Sequence, residues 1–191
     1  MNHLYSFVVV ISSASFFLMG CTSAPKNHSH SDKSVAPVYY AVAHIKPTEG
    51  NSISGEVHFS EGFGEVKIVA RIQGLPPNSE HGFHIHEYGD CRAPNASSAG
   101  GHYNPTGHQH GGPESDAKHV GDLGNLKSNK KGEANLKITI RGMSLLGSVS
   151  PVLGRGVIVH KNPDDLISQP TGGAGDRIGC GIIGAAEKLK L

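Results

Sequence analysis

Residues 65–72 read Glu-Val-Lys-Ile-Val-Ala-Arg-Ile, a stretch in which positions 66, 68, 70 and 72 are all apolar. A period of two residues is typical of a β-strand with one face in a hydrophobic core and the other in solvent. Residues 133–140 repeat the pattern, with apolar side chains at 134, 136, 138 and 140, and Ile53, Val57 and Phe59 keep a similar alternation. Because helical periodicity is found nowhere in the chain, the sequence predicts an all-β fold.

Clusters of turn-forming residues separate these strands, among them residues 61–64 (Glu-Gly-Phe-Gly), 76–78 (Pro-Pro-Asn) and 130–132 (Lys-Lys-Gly). The chain has 26 Gly and 11 Pro, and short strands joined by such turns favour an antiparallel sandwich or barrel. Segments 87–118 and 161–176 are long, rich in Gly and Pro, and irregular. Loops of this length inside a compact domain usually carry function.

Composition narrows the range of functions. The 191 residues suit one domain, and 17 Lys and Arg against 16 Asp and Glu leave a net charge of +1. A balance so close to zero excludes the general basic field of a nucleic-acid-binding protein. The chain contains 13 His, and because histidine is the commonest metal ligand in proteins, composition points to a metal site.

The N-terminus has the pattern of an export signal. Residues 1–20 contain no Lys, Arg, Asp or Glu, and residues 7–18 are an apolar run too short to span a bilayer but suited to a signal peptide. Residues 18–21, Leu-Met-Gly-Cys, resemble the lipobox of bacterial lipoproteins, so we expect a signal peptide over 1–20 and lipidation of Cys21. Thr22, rather than an acidic residue, follows Cys21, and by resemblance to the lipoprotein sorting pattern of Gram-negative bacteria this favours the outer membrane over the inner one. The expected location is the periplasm of a bacterial cell envelope, with the N-terminal lipid as the only membrane contact.

Residues 21–37 are rich in Ser, Pro, His and Lys and predict a lipidated N-terminus with a flexible tether. We interpret His28 and His30 as part of that solvated linker, and place the folded domain at 38–191. An exported chain with three cysteines leaves one unpaired. Lipidation of Cys21 removes that cysteine, and Cys91 and Cys180 then remain for one disulfide in an oxidising compartment.

Seven of the thirteen histidines fall between positions 81 and 119. In a strand, His84 and His86 point to one face with Cα atoms about 6.6–6.8 Å apart, so both rings can reach one ion. His102, His110 and His119 follow in the long loop, with Asp122 shortly after, and three imidazoles with a carboxylate can form a closed tetrahedral zinc site. His160 ends an apolar strand that can return to the His84 face. An imidazole-rich site would favour copper.

Isolated histidines need no such explanation, because a single histidine on a strand is usually a surface residue or a hydrogen-bonded core residue. We interpret His44, His58 and His81 in this way. His108 stays open, since it lies two residues from His110 in a loop where either can act as a ligand.

Several motifs together resemble those of the copper,zinc superoxide dismutases, and the resemblance covers residues 38–187. The motifs fall in the order of that family: residues 82–90 (Gly-Phe-His-Ile-His-Glu-Tyr-Gly-Asp), 102–105 (His-Tyr-Asn-Pro), 110–113 (His-Gly-Gly-Pro), 119–125 (His-Val-Gly-Asp-Leu-Gly-Asn), 159–160 (Val-His) and 179–184 (Gly-Cys-Gly-Ile-Ile-Gly). The resemblance implies an eight-stranded Greek-key β-barrel, a sandwich-like architecture, that carries its metal site outside the barrel on two long loops.

Carried over by position, the resemblance implies two metal sites joined by one ligand. The copper ligands are His84, His86, His102 and His160. The zinc ligands are His102, His110, His119 and Asp122. His102 bridges the two ions as an imidazolate, which is reasonable only between two cations.

Four further residues match the family's pattern. Asp164 corresponds to the aspartate that orients one ligand of each metal, Arg177 to the arginine beside the copper, and Cys91 with Cys180 to the family disulfide. One position departs from the pattern, because Pro170 stands where eukaryotic members carry a lysine that steers the substrate.

The implied activity is dismutation of superoxide to oxygen and hydrogen peroxide, protecting the cell envelope. Copper would be the redox metal, His102 would carry a proton, and Arg177 would attract the anionic substrate. The alternative is a non-catalytic module that binds zinc or delivers copper, but such modules often lack part of the copper set that is complete here. The sequence does not decide the oligomeric state, and both a homodimer and a monomer are compatible with it.

Overall fold

The computed structural model describes residues 37–188. Cys21, the expected signal peptide (1–20) and all but the last residue of the expected tether (21–37) lie outside them. Nine strands follow in chain order: β1 Tyr40–Pro47, β2 Ser54–Gly62, β3 Glu65–Gln73, β4 Glu80–His86, β5 Asp122–Lys127, β6 Ala134–Arg141, β7 Gly156–His160, β8 Arg177–Ile182 and β9 Gly184–Ala185. Within residues 37–188 the one helical element is the 3-10 turn Ser97–Ala99. The prediction of an all-β fold is therefore confirmed.

Eight strands form an antiparallel sheet in the order β5-β4-β7-β8-β1-β2-β3-β6, and the short β9 pairs with β1. The two ends of this order, β5 and β6, come together through a bridge between Ser128 and Ala134. The sheet is therefore a nearly closed barrel, as the resemblance implied. None of the helical structure between residues 37 and 188 is long and apolar enough to cross a membrane.

The alternation read from the sequence matches the burial of the strands. Val66, Ile68 and Ala70 on β3 are fully buried, while Lys67 and Arg71 on the opposite face are exposed. On β6 the alternation predicted more burial than the structure has. Leu136 and Ile138 are only partly buried there, because they lie beside the join with β5, where few residues pair.

Two irregular segments leave the barrel at the positions predicted for long loops. The segment from 87 to 121 connects β4 to β5 and the segment from 161 to 176 connects β7 to β8. The first is held against β4 by backbone hydrogen bonds, in which Tyr103 N–H donates to Ile85 O at 2.8 Å and Ile85 N–H donates to Gly121 O at 2.9 Å. A Cβ on Gly121 would collide with that Ile85 carbonyl, so this close approach requires glycine.

Candidate metal centre

Four imidazoles converge where β4, β7 and the first long loop meet. The four-imidazole group consists of His84 and His86 on β4, His160 at the end of β7 and His102 in the loop, each offering a ring nitrogen within 4.8 Å of the others. All four side chains are buried. Strand alternation explains the arrangement, because His84 and His86 point to one side while Ile85 between them fills the core.

The hydrogen bonds of this group leave one nitrogen of each ring free to bind a metal. His84 Nε2–H donates to Asp164 Oδ2 at 2.8 Å, which leaves Nδ1 bare. His86 and His160 each donate from Nδ1–H to a backbone carbonyl, of Gly100 at 2.9 Å and Gly175 at 3.0 Å. Their Nε2 atoms then face each other at 3.4 Å. Such hydrogen bonds fix the tautomer and orientation of metal-binding histidines.

A second group surrounds the carboxylate of Asp122 at the start of β5. The Nδ1 atoms of His102, His110 and His119 lie 2.8, 3.1 and 3.3 Å from Asp122 Oδ1. We call Asp122 and these three histidines the Asp122 group. Asp122 Oδ2 points away and accepts hydrogen bonds from the backbone N–H groups of Gly111 and His119 at 3.1 and 3.0 Å. Three imidazole nitrogens and one carboxylate oxygen are a donor set suited to tetrahedral zinc.

His102 belongs to both groups. Its Nδ1 faces Asp122 Oδ1 at 2.8 Å, and its Nε2, on the opposite side of the ring, lies within the four-imidazole group with no hydrogen-bond partner. One ring therefore connects the two sets of donors.

Burial keeps the imidazoles of His84, His86 and His160 neutral. It lowers the pKa of His84 and of His86 well below 6.5, with the neighbouring His102 acting in the same direction. Burial also lowers the pKa of His160 to about 4, in spite of its hydrogen bond to Gly175. Neutral imidazoles have the free electron pair that metal binding requires.

Asp122 is ionised for a different reason. Burial raises the pKa of Asp122, but the hydrogen bonds from His102 and from the Gly111 N–H, together with the nearby His110, outweigh this effect and lower the pKa to about 2. At neutral pH Asp122 therefore brings one negative charge to the Asp122 group.

Asp164 connects the two groups from behind. Its Oδ1 accepts from His110 Nε2–H at 2.9 Å and its Oδ2 accepts from His84 Nε2–H at 2.8 Å, so one carboxylate orients a histidine of each group. The resemblance implied this role for Asp164 on the second loop.

Two amide side chains that sequence reasoning missed hold this part of the site together. Asn125 accepts from Asp164 N–H at 2.7 Å and donates to Asp164 O at 2.8 Å. Gln169 makes the same pair of contacts with the backbone of His110, accepting from its N–H at 2.8 Å and donating to its carbonyl at 3.0 Å. Asn125 lies in one of the quoted motifs, whereas Gln169 lies in an irregular loop without a spacing signal.

Arg177 lies beside the four-imidazole group. Its guanidinium donates to the backbone carbonyls of Ala96 and Gly100, each at 2.6 Å, and Gly100 O also accepts from His86. The predicted disulfide between Cys91 and Cys180 is present and ties the same loop to β8, three residues beyond Arg177.

The remaining histidines separate clearly. His81 is a buried core histidine, with its ring nitrogens 2.9 Å from His160 O and 2.7 Å from Ser79 Oγ. His108 is exposed and belongs to neither group, so the structure places His110 at the position that the sequence left open. His44 and His58 lie on the outer face of β1 and β2.

The buried polar atoms that lack a hydrogen-bond partner show whether metal ions fit these two groups. In residues 37–188, each buried side-chain nitrogen or oxygen that lacks a hydrogen-bond partner belongs to these two groups: His84 Nδ1, His102 Nε2, His110 Nδ1 and His119 Nδ1. A buried polar atom without a partner costs about 1–3 kcal/mol, so four such atoms aimed into two small volumes fit two bound cations.

Comparison with known proteins agrees with this geometry. Residues 53–183, more than half of the chain, match the copper/zinc superoxide dismutase (SODC) family. A superoxide dismutase [Cu-Zn] of Paramecium bursaria Chlorella virus 1 is 43% identical over 153 residues, which cover 77% of this chain and 80% of the viral protein. The chain therefore belongs to the copper/zinc superoxide dismutase family.

Proposed function

We propose that the four-imidazole group binds copper, that the Asp122 group binds zinc, and that the chain dismutates superoxide at the copper site. Two superoxide anions and two protons give one oxygen and one hydrogen peroxide. The observation that carries the proposal is the shared ring of His102, because a single imidazole that faces two donor sets suits a redox metal coupled to a second cation. When bound, copper supplies the reversible one-electron exchange with superoxide, and zinc supplies a fixed positive charge.

The side chains of this chain would perform three tasks in that reaction. His102 Nε2 is buried and has no hydrogen-bond partner in the protein, so it is the ring atom that can hold a proton and pass it to the peroxide product. Asp164 keeps His84 and His110 in their metal-binding tautomers throughout. Arg177 places a half-buried cation beside His86 and would attract and orient the small anionic substrate.

The alternative of a non-catalytic metal-binding module is less well supported. A module that only holds zinc needs the Asp122 group and nothing more. Here His160 completes the second donor set, and Arg177 lies next to that set.

Removal of His160 separates these functions. His160→Ala should reduce dismutation to the level of zinc-only protein while the zinc of the Asp122 group is retained, because His160 belongs only to the four-imidazole group. His108→Asn, which changes an exposed histidine outside both groups, is the control. Dismutation by His160→Ala at the level of the unchanged protein would contradict the copper assignment.

We also infer that the chain is exported and anchored by lipid on Cys21, with the domain in the periplasm, where it would protect the envelope from superoxide. The apolar run at 7–18 and the Leu-Met-Gly-Cys sequence at 18–21 support this. Cys21→Ser should release the protein from the membrane fraction, and a variant that still sediments with membranes would refute the anchor. Sedimentation velocity of the released protein distinguishes the homodimer from the monomer.

A further inference from the structure

Three side chains of types that bind metals lie together on the outer face of the barrel, outside the four-imidazole group and the Asp122 group. Glu56 on β2 stands between His44 on β1 and His58 on β2. Its Oε1 lies 3.4 Å from His44 Nδ1 and its Oε2 lies 3.0 Å from His58 Nε2.

The backbone accounts for this grouping. His44 and Glu56 are directly opposite each other in the antiparallel β1–β2 pair, a relation that brings Cβ atoms to about 4.5–5.5 Å. Glu56 and His58 are separated by one residue on the same strand and therefore share a face. His84 and His86 use the same spacing on β4 in the four-imidazole group. The sheet thus presents three neighbouring donors on one face, with Glu56 between the two rings.

The side chains have the freedom to converge. The exposed fractions are 65% for His44 and 51% for Glu56, so both can change rotamer without disturbing the core, whereas His58 at 22% is held more firmly. The two imidazoles now contact different oxygens of the carboxylate. A cation that takes both rings and the carboxylate would replace those two contacts with metal bonds.

We propose that His44, Glu56 and His58 bind a third divalent transition-metal cation on the surface of the barrel. Two imidazoles and a carboxylate, with water in the open position, form a common zinc donor set. Imidazole ligands also suit Cu²⁺, which binds most such sites more tightly than Zn²⁺. The site is independent of the proposed dismutation, because it shares no residue with either internal group.

A neighbouring cation sets the expected strength of the site. Arg71 on β3 is the direct cross-strand partner of Glu56, and its positive charge opposes that of a bound metal. We expect Arg71→Ala to tighten metal binding at this surface, an effect that a role of Glu56 as a simple surface ion-pair partner does not produce.

The test uses the full chain with its copper and zinc sites already loaded, dialysed against increasing Zn²⁺, with bound metal measured by elemental analysis. We expect one further equivalent of zinc per chain. Glu56→Gln and His58→Asn should each lower the affinity for that further zinc ion. The decrease should exceed the roughly 10–100-fold that is caused by loss of a ligand's hydrogen-bond partner. Zn²⁺ should also raise the melting temperature of the loaded protein but not that of Glu56→Gln.

His108→Asn is the matched control, because it removes an exposed histidine that is not one of these three side chains. This variant should still bind the third equivalent of metal, a second zinc. Absence of a third equivalent in the unchanged protein would overturn the proposal. So would a third equivalent that survives in Glu56→Gln and His58→Asn, or one lost instead when His28 and His30 of the N-terminal segment are changed to Asn. None of these outcomes bears on dismutation, which is assayed separately.

Discussion

Asp164 determines how two of the metal-binding rings are oriented. By accepting Nε2–H of both His84 and His110, it leaves their Nδ1 atoms directed at the two donor sets. Gly172 stands directly against this carboxylate, with φ of +67°, and a Cβ there would collide with Asp164 Oδ1 and lie 2.6 Å from His110 Nε2. The contact between Asp164 and His110 therefore requires glycine at position 172.

Gly172→Ala should weaken zinc binding by about 10–100-fold, the usual effect of disturbing the hydrogen-bond partner of a metal ligand. Competition with a chelator measures the change. Gly173→Ala is the matched control, because Gly173 has a similar φ of +62° but a Cβ there would approach only Asp165, at 3.8 Å. Equal zinc affinities for the two variants would show that backbone strain, rather than displacement of Asp164, is responsible for any effect.

The strands and loops contribute differently to this site. The register between β4 and β7 fixes the positions of the histidines that these strands contribute to the four-imidazole group. His84 pairs with Ile158, and β4 is hydrogen-bonded along β7. The loops have no such register and depend on side chains: Gln169 binds both backbone groups of His110, and the disulfide from Cys91 to Cys180 ties the first loop to β8. The carbonyls that hold Arg177 lie on that first loop.

Replacing both disulfide cysteines with Ser should destabilise the domain. The bridge closes a separation of 89 residues, for which the loop-entropy model gives roughly 4–5 kcal/mol. In a domain of this size that loss lowers the melting temperature by about 10 °C or more. Thermal unfolding in a Cys21→Ser background, where no third thiol can exchange, makes the measurement. An unchanged melting temperature would show that the bridge adds no stability.

The same difference between strands and loops explains what the sequence could predict. Alternation alone placed His84 and His86 on one face and Ile85 in the core, because a strand has a fixed period. No period relates His102, His110 and His119. Their place in one long loop before Asp122 suggested a zinc site, but the role of His102 as a bridge rested on the resemblance to a family. Gln169 was missed because its partner is a backbone 59 residues away, and burial at Leu136 and Ile138 was overestimated because alternation carries no information about the barrel's join.

The barrel as a folded unit encloses several imidazoles in neutral form, which links stability to pH. His84, His86 and His160 have folded-state pKa values below 6.5, about 4 for His160. Between these values and 6.5 the unfolded chain binds more protons than the folded one, so stability present above pH 6.5 is lost as the pH falls. Asp122, with a pKa of about 2, adds to this loss below its unfolded value near 3.8.

The free energy of unfolding of metal-free protein should therefore decrease from pH 7 to pH 4. His160 alone accounts for about 3 kcal/mol of this decrease. Urea unfolding after chelation, at a series of pH values, gives the slope, and His160→Asn should reduce it. A free energy of unfolding that stays level or rises across this range would mean that these rings are protonated in the folded state.

The most direct test locates both metals relative to His102. Crystals of the protein loaded with copper and zinc, measured at the absorption edges of both elements, should show copper on the Nε2 side of the His102 ring and zinc on its Nδ1 side beside Asp122. A single metal, two metals on the same side, or a His102 ring in contact with only one of them would contradict the account.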